Sequence, residues 1–552
     1  MDAFAASLAG RTKMEASASE TVVRPDPHSI AMRLWCLLAM TLLVVLVAPF
    51  PLVDVPPVLD YPNHLARYFV LAHPDDPVLS QMYAPNWRIL PNLGMDLIGV
   101  ALLHVTSVHV GGRIVLALSL VAPIIGVLVY HRAAFGRTSL WPLASGVIAY
   151  NGIFFLGFMN FLLALGLAFG AAGGWIVLGR CNRRWTQIAL GAAAAVVTFI
   201  CHIFGVAFFA LLIGCYEADG LWQRRRSAGL IRAGALVALR IAAALSPALL
   251  LYALCPLNAA TAPHGPWEWG DKPWRLLTPF MTSDAGLTVL TAVTLLATLM
   301  LLRRQLRWVP GLPLAIAVLM IFFVAVPEAM STGALIDLRF VTMACYLLFA
   351  GLEPCLTRRQ AQVVLAVFGA LIVVRSGYVG ATWIDHRKDL AEVRAAIAGI
   401  APGTRVLASR SYPDQMIYIK PPERAMPGLY PTDDHLAALL LIERRAYWPL
   451  LFAHPAQQPI RLLPPYDRLS YPVGQPVNWD WLADQSYSIL QLSAAPYLPN
   501  WRSNFDLVLL INPPSPQQTI AGLTPLYHGD YAQLYRIEHQ LPALSALRGV
   551  LQ

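Results

Sequence analysis

The chain has 552 residues, 57% of them hydrophobic and 13% charged, with a mean hydropathy of +0.56 and a net charge of +9. Soluble domains carry about 25% charged residues, so the composition excludes an ordinary soluble protein and points to a polytopic membrane protein with some soluble mass. The arginines fall in short clusters between apolar runs, a pattern that orients loops rather than one that binds nucleic acid.

Residues 1–33 are expected as a cytoplasmic N-terminal segment. The apolar run at 34–53 has a long segment before it, no clear A-x-A site after it and more apolar runs beyond. It is expected as a retained first span rather than a signal peptide. An outer loop, 54–112, follows; within it 93–108 is expected as an interfacial or re-entrant helix. Further spans are expected at about 113–130, 141–157, 160–179, 186–201, 203–219, 233–254, 286–302, 311–327, 339–353 and 361–379. These eleven place every basic cluster on the inner side, as the positive-inside rule prefers. They leave residues 381–552 outside.

That last region has soluble composition. "DLAEVRAAIAGI" and "DHLAALLLIERRAYWPLLFA" have helical patterns, while "RVLAS", "FDLVLLIN" and "YAQLYRI" have strand patterns. The expected fold class is therefore mainly α, a polytopic transmembrane helical bundle over 34–380 with a small α/β soluble C-terminal domain. Seven cysteines, none at CxxC spacing, give no disulfide framework and no zinc site.

With this topology the unusual polar residues collect on the outer side. In "VLDYPNHLARYFVL", Pro62 suits a first helical turn. Asp60, His64 and Arg67 then share one face at spacings of four and three. His202 lies between the spans at 186–201 and 203–219, Glu268 in the loop after 233–254, and Asp337 and Arg339 between 311–327 and 339–353. Ionisable groups near a bilayer point by default to function. Each also has a plainer reading. Asp60 could cap its helix, His202 could be a satisfied buried histidine, Asp337 and Arg339 could pair locally, and Asn160 could be a helix-packing hydrogen bond.

The layout resembles the GT-C superfamily of membrane glycosyltransferases, which includes the lipid A aminoarabinose transferases and the protein O-mannosyltransferases. Those proteins have an Asp-Glu-x-x-Tyr-like motif in the first outer loop, and "LDYPNHLAR" stands in the equivalent place. Asp60 matches the acid, Tyr61 stands where a second acid often sits, and His64 where a Tyr is common. The likeness covers about 34–380 in layout and a short motif in sequence.

It implies an inverting glycosyltransferase of the bacterial inner membrane. Such an enzyme moves a sugar from a polyprenyl-phosphate carrier to a lipid, glycan or protein acceptor on the outer face. Asp60 would be the catalytic base, with His64, Arg67, His202, Glu268, Asp337 and Arg339 as substrate contacts. Membrane lipids would be its surroundings and nucleic acid no partner. Some relatives use a divalent metal; with the second acid missing, no cofactor is certain here and no metal ligand is assigned. The competing classes are a lipid or polysaccharide transporter or flippase, and a non-catalytic assembly protein.

Overall fold

The computed structural model describes residues 31–538 apart from 227–228, 260–264, 266, 268, 331–332, 412–430, 472–473, 485 and 515–516. Helices α1 (Met32–Val47), α2 (Tyr61–Ala72), α3 (Gly94–Leu103) and α4 (Val108–Phe135) come first. Next are α5 (Met159–Arg180), α6 (Arg184–Cys201), α7 (Ile203–Gln223) and α8 (Leu230–Leu254). Then follow α9 (Ala285–Leu302), α10 (Leu312–Ala325), α11 (Asp337–Gly351) and α12 (Arg358–Ile397). Among the described residues, eight helices are long and apolar enough to cross a membrane: α1, α4 to α9 and α12. The chain is a multi-pass membrane protein.

The centre of the bundle is the crossing of α4 and α5. Small residues let two backbones approach where no hydrophobic gradient drives helices together. A Cβ added at Gly126 would lie 2.4 Å from the carbonyl oxygen of Gly166, and one added at Gly166 would lie 2.2 Å from that of Ala122. Glycine is the residue that fits both sides of this contact.

Two expected helices take other forms. The run at 141–157 is a 3₁₀ stretch, Trp141–Ile148, and a single turn, Gly152–Phe155. Pro142 and Gly146 lie in the first piece, and Asn151 caps the second by accepting a hydrogen bond from the Phe154 N–H. The whole run through Leu156 is buried inside the protein, where irregular backbone can be satisfied by neighbouring protein groups. The spans expected at 311–327 and 339–353 are the shorter helices α10 and α11. Within 93–108 the helix α3 forms as expected, over Gly94–Leu103.

The second departure is "DHLAALLLIERRAYWPLLFA". It forms one 3₁₀ turn, Leu436–Ala438, and one π turn, Leu440–Arg444, before the chain straightens. Its apolar residues are buried apart from the half-buried Phe452, so packing on nearly all sides, rather than one amphipathic face, decides its backbone. By contrast "DLAEVRAAIAGI" is helical as expected, but as the end of the 40-residue α12, which runs unbroken across residue 380.

The C-terminal sheet has five strands in the order β6-β4-β7-β9-β8. Two short antiparallel pairs lie outside it. One joins β2 (Leu306–Trp308) to β3 (Leu352–Pro354). In the sheet, β4 (Val406–Arg410) runs parallel to β6 (Val477–Asn478) and β7 (Leu507–Ile511). Strand β9 (Ala532–Ile537) is antiparallel to both β7 and β8 (Leu523–His528). Every residue of β4 and β7 is buried; β7 is the continuous apolar run of a central strand, while β4 ends in the buried Ser409 and Arg410. The other short pair joins β1 (Tyr83–Pro85), in the segment between α2 and α3, to β5 (Ile460–Leu462) of the C-terminal region. These two regions are therefore one structure.

Candidate active site

The segment that follows α1 meets the C-terminal region at α2. Asn63 is the clamp: its side-chain N–H donates to the Leu450 carbonyl at 2.8 Å, and its oxygen accepts from the Phe452 N–H at 2.8 Å. Beside this clamp lies a cavity of about 410 Å³. Asp60, His64, His202 and Arg339 line it, together with His435 and Phe452 from the C-terminal region. Among the described lining residues Asp60 is the one carboxylate and Arg339 the one guanidinium.

Backbone contacts place Asp60. The Leu59 N–H donates to the Phe155 carbonyl at 2.9 Å and the Asp60 N–H to the Leu156 carbonyl at 3.2 Å. Asp60 stands at the N-cap position of α2, yet its side chain makes no capping bond. It faces the cavity instead, 14% exposed, with Oδ1 3.3 Å from Nδ1 of His435. The next residue over this turn is Gly157, at φ +83°, where an added Cβ would lie 2.8 Å from the Asp60 Cβ. A left-handed backbone and a close approach both demand glycine here. Gly157→Ala should therefore displace Asp60 and lower activity, while detergent-solubilised protein still elutes as a folded species. Unchanged turnover would mean the turn has room to yield.

His64 and Arg67 act as a pair. Arg67 Nη2 donates to His64 Nδ1 at 2.9 Å, and its Nε donates to Asp96 Oδ1 at 2.6 Å. A guanidinium can only donate, so Nδ1 is the acceptor and the neutral ring carries its proton on Nε2. Burial, then the positive charge of Arg67 and the neighbouring His435, push the His64 imidazole well below its usual range. The sign of the pH dependence follows. Between the lowered folded value and about 6.5, the unfolded chain binds a proton that the folded one does not, so stability rises with pH. It is lost as pH falls below about 6.5, at up to about 1.4 kcal/mol per unit. A melting series from pH 7.5 to 5 should fall more steeply for the wild type than for His64→Phe; parallel curves would remove His64 as the cause.

Arg339 sits in an aromatic cage. Its guanidinium carbon lies 4.6 Å from the Phe158 ring centroid, 5.4 Å from Phe204 and 6.0 Å from Phe161. Nη1 donates to the Ala334 carbonyl at 2.9 Å. The cage holds a cation at the cavity wall without neutralising it. His202 caps α7, its Nδ1 accepting from the Phe204 N–H at 3.1 Å, so its ring is both a structural cap and a lining group. Asn160 also lines the cavity, but both ends of its amide are engaged, with the Met95 N–H and the Asn92 carbonyl. The packing reading describes it.

Three further sequence candidates stand elsewhere. Arg67 lies behind His64, fully buried against Asp96. Asp337 is buried under the cavity floor, held by Lys272 Nζ at 2.8 Å and Arg275 Nη1 at 3.1 Å, and a single carboxylate gripped by two cations is a latch between loop and helix. The local pair with Arg339 is replaced by these partners. Glu268 lies outside the described residues. Among the described residues no group of three metal-ligating side chains converges on one point.

His435 and Asp96 were not singled out from sequence. Asp96 sits in an apolar helix pattern, where a lone acid was the available signal. His435 follows two acids in "TDDHLAAL", a run that looks like a helix start.

The chain superposes on a solved structure of ArnT from Cupriavidus metallidurans in the apo state, with a TM-score of 0.50 at 12% identity, over 92% of this chain and 98% of that one. ArnT is a lipid A aminoarabinose transferase of the GT-C superfamily. This chain has the GT-C fold. A second structure of ArnT, bound to undecaprenyl phosphate, aligns with a TM-score of 0.49 at 12% identity, over 93% and 99% of the two chains. No family model and no curated protein matches the sequence. In the GT-C fold of this chain the acid after the first apolar helix, Asp60, faces the cavity.

Proposed function

We propose that the protein is a membrane glycosyltransferase that takes a sugar from a polyprenyl-phosphate carrier and places it on an acceptor hydroxyl at the outer face of a bacterial inner membrane. The observation that carries this reading is one cavity of about 410 Å³ with Asp60 and the caged Arg339 in its wall. In a single displacement the acceptor oxygen bonds to the anomeric carbon. The bond from that carbon to the phosphate oxygen breaks, and its electrons leave with the lipid phosphate. The sugar passes through an oxocarbenium-like state and inverts. Asp60 takes the acceptor's proton as the oxygen attacks. Arg339 stabilises the charge gathering on the phosphate. His64, with Nδ1 held by Arg67 and its ring also bonded to the Gly157 backbone, forms a fixed part of the same wall.

The test is turnover by purified protein of radiolabelled glucosyl, mannosyl and 4-amino-4-deoxyarabinosyl undecaprenyl phosphates. Loss of label from at least one donor, with release of undecaprenyl phosphate, is expected. A transporter or assembly protein would leave all three donors intact. The sidedness has its own measurement: alkaline phosphatase fused after Gln552 should be active in whole cells, because the expected topology puts the C-terminal region outside. An inactive fusion with full expression would move the cavity to the inner face.

A further inference from the structure

His435 reaches the site from a different part of the chain. Its Nδ1 stands 3.3 Å from Oδ1 of Asp60, and its side chain is 4% exposed. The ring packs against Trp448 at 6.0 Å and Phe452 at 5.0 Å between centroids. Neither ring nitrogen makes a hydrogen bond among the described residues; the Asp60 carboxylate, at ion-pair distance from Nδ1, is the polar group nearest the imidazole.

The placement is built rather than incidental. The two residues before His435 are tied to Arg410 at the end of β4: Asp433 by a short charge-assisted bond and Asp434 at 3.3 Å. The Tyr531 hydroxyl donates to the other oxygen of Asp433. The C-terminal sheet thereby sets the position of residue 435 as firmly as α2 sets that of residue 60.

We propose that His435 is the positioning residue of Asp60: its imidazole, at ion-pair distance with Nδ1 otherwise unpartnered, steers Oδ1 of the carboxylate and leaves the second oxygen to meet the acceptor hydroxyl. This rests on the reading of Asp60 as the base. It also makes the catalytic centre a joint product of the first outer loop and the C-terminal region.

The test separates the two claims by using a probe that needs no sugar donor. In a background with Cys36, Cys181 and Cys355, the exposed or half-buried thiols, changed to Ser, Asp60→Cys places a thiol beside the imidazole. Its alkylation by monobromobimane is followed against pH. A thiol next to a histidine is held to a lower pKa. The other charged or titratable neighbours are His64 and Arg67 on α2 and Arg339 on α11. They are the same in every variant, so the comparison isolates His435. Thiol titration is expected to move up by about one pH unit or more when His435→Ala is added.

His435→Phe keeps a ring between Trp448 and Phe452 and should give the same shift, so misfolding of the Ala variant does not decide the matter. Superimposable titrations with His435 and with Phe overturn the proposal, whatever the donor assay gives. If the shift appears while no lipid-linked sugar is consumed by wild type, the dyad stands and the glycosyltransferase reading falls. Where turnover is measurable, His435→Phe should lower kcat about tenfold or more and leave KM for the donor little changed, as loss of a group that orients a base does.

Discussion

Asp60→Asn is expected to lower turnover by at least about a hundredfold, because a general base contributes about 10²–10⁴-fold. The substitution keeps the shape and removes proton acceptance. A capping role would predict the opposite, since Asn caps a helix about as well as Asp. The Asp60 side chain makes no capping bond and lines the cavity. Folding of the variant is therefore expected to be near wild type in melting temperature, and binding of undecaprenyl phosphate should persist. Asp54 is the control. It is half exposed and pairs with Arg394 at 3.1 Å and Arg113 at 3.9 Å, an exposed network worth at most about 1 kcal/mol. Asp54→Asn should turn over at close to the wild-type rate. If Asp60→Asn matched it, the base would have to be sought elsewhere in the cavity, and the assignment made here would be wrong.

The parts of this site that were legible in the sequence share one property: they announce themselves locally. Asp60, His64 and Arg67 lie within one helical turn or two after an apolar run, and ionisable residues there are conspicuous. Arg339 and His202 are conspicuous in the same way, each at the edge of a span. The long helices were legible because a run of apolar residues has few other solutions in a membrane. What was hidden is non-local. His435 lies 375 positions from Asp60, counting 435 − 60, and its partner is set by β4, α2 and the Asn63 clamp together. The run 141–157 has the composition of a span, and it is enclosed by protein that satisfies an irregular backbone. In "DHLAALLLIERRAYWPLLFA" burial on nearly every side overrides the helical pattern. Asp337 is conspicuous in the sequence, but a buried acid looks the same there whether it meets a substrate or two cations.

The largest stability effect is expected at the Arg67–Asp96 pair, both of whose side chains are fully buried. Removing one partner leaves the other charge without compensation in a low-dielectric interior, at a cost of about 3–5 kcal/mol. Arg67→Met and Asp96→Leu should each lower the melting temperature in detergent sharply. Replacing both together removes both desolvation penalties, and a well-packed apolar pair is commonly neutral or stabilising. Arg67 Nη1 already lacks a hydrogen-bond partner among the described residues, which adds to the penalty the double variant escapes. The double variant should therefore melt near wild type. It should not recover activity. Arg67 Nη2 is the donor that fixes the His64 tautomer, and an apolar residue leaves His64 Nδ1 without it. Stability restored with turnover still low would assign Arg67 to orienting the site. Recovery of both would make the pair structural and leave His64 held by the Gly157 backbone and its packing against Tyr68 and Phe452.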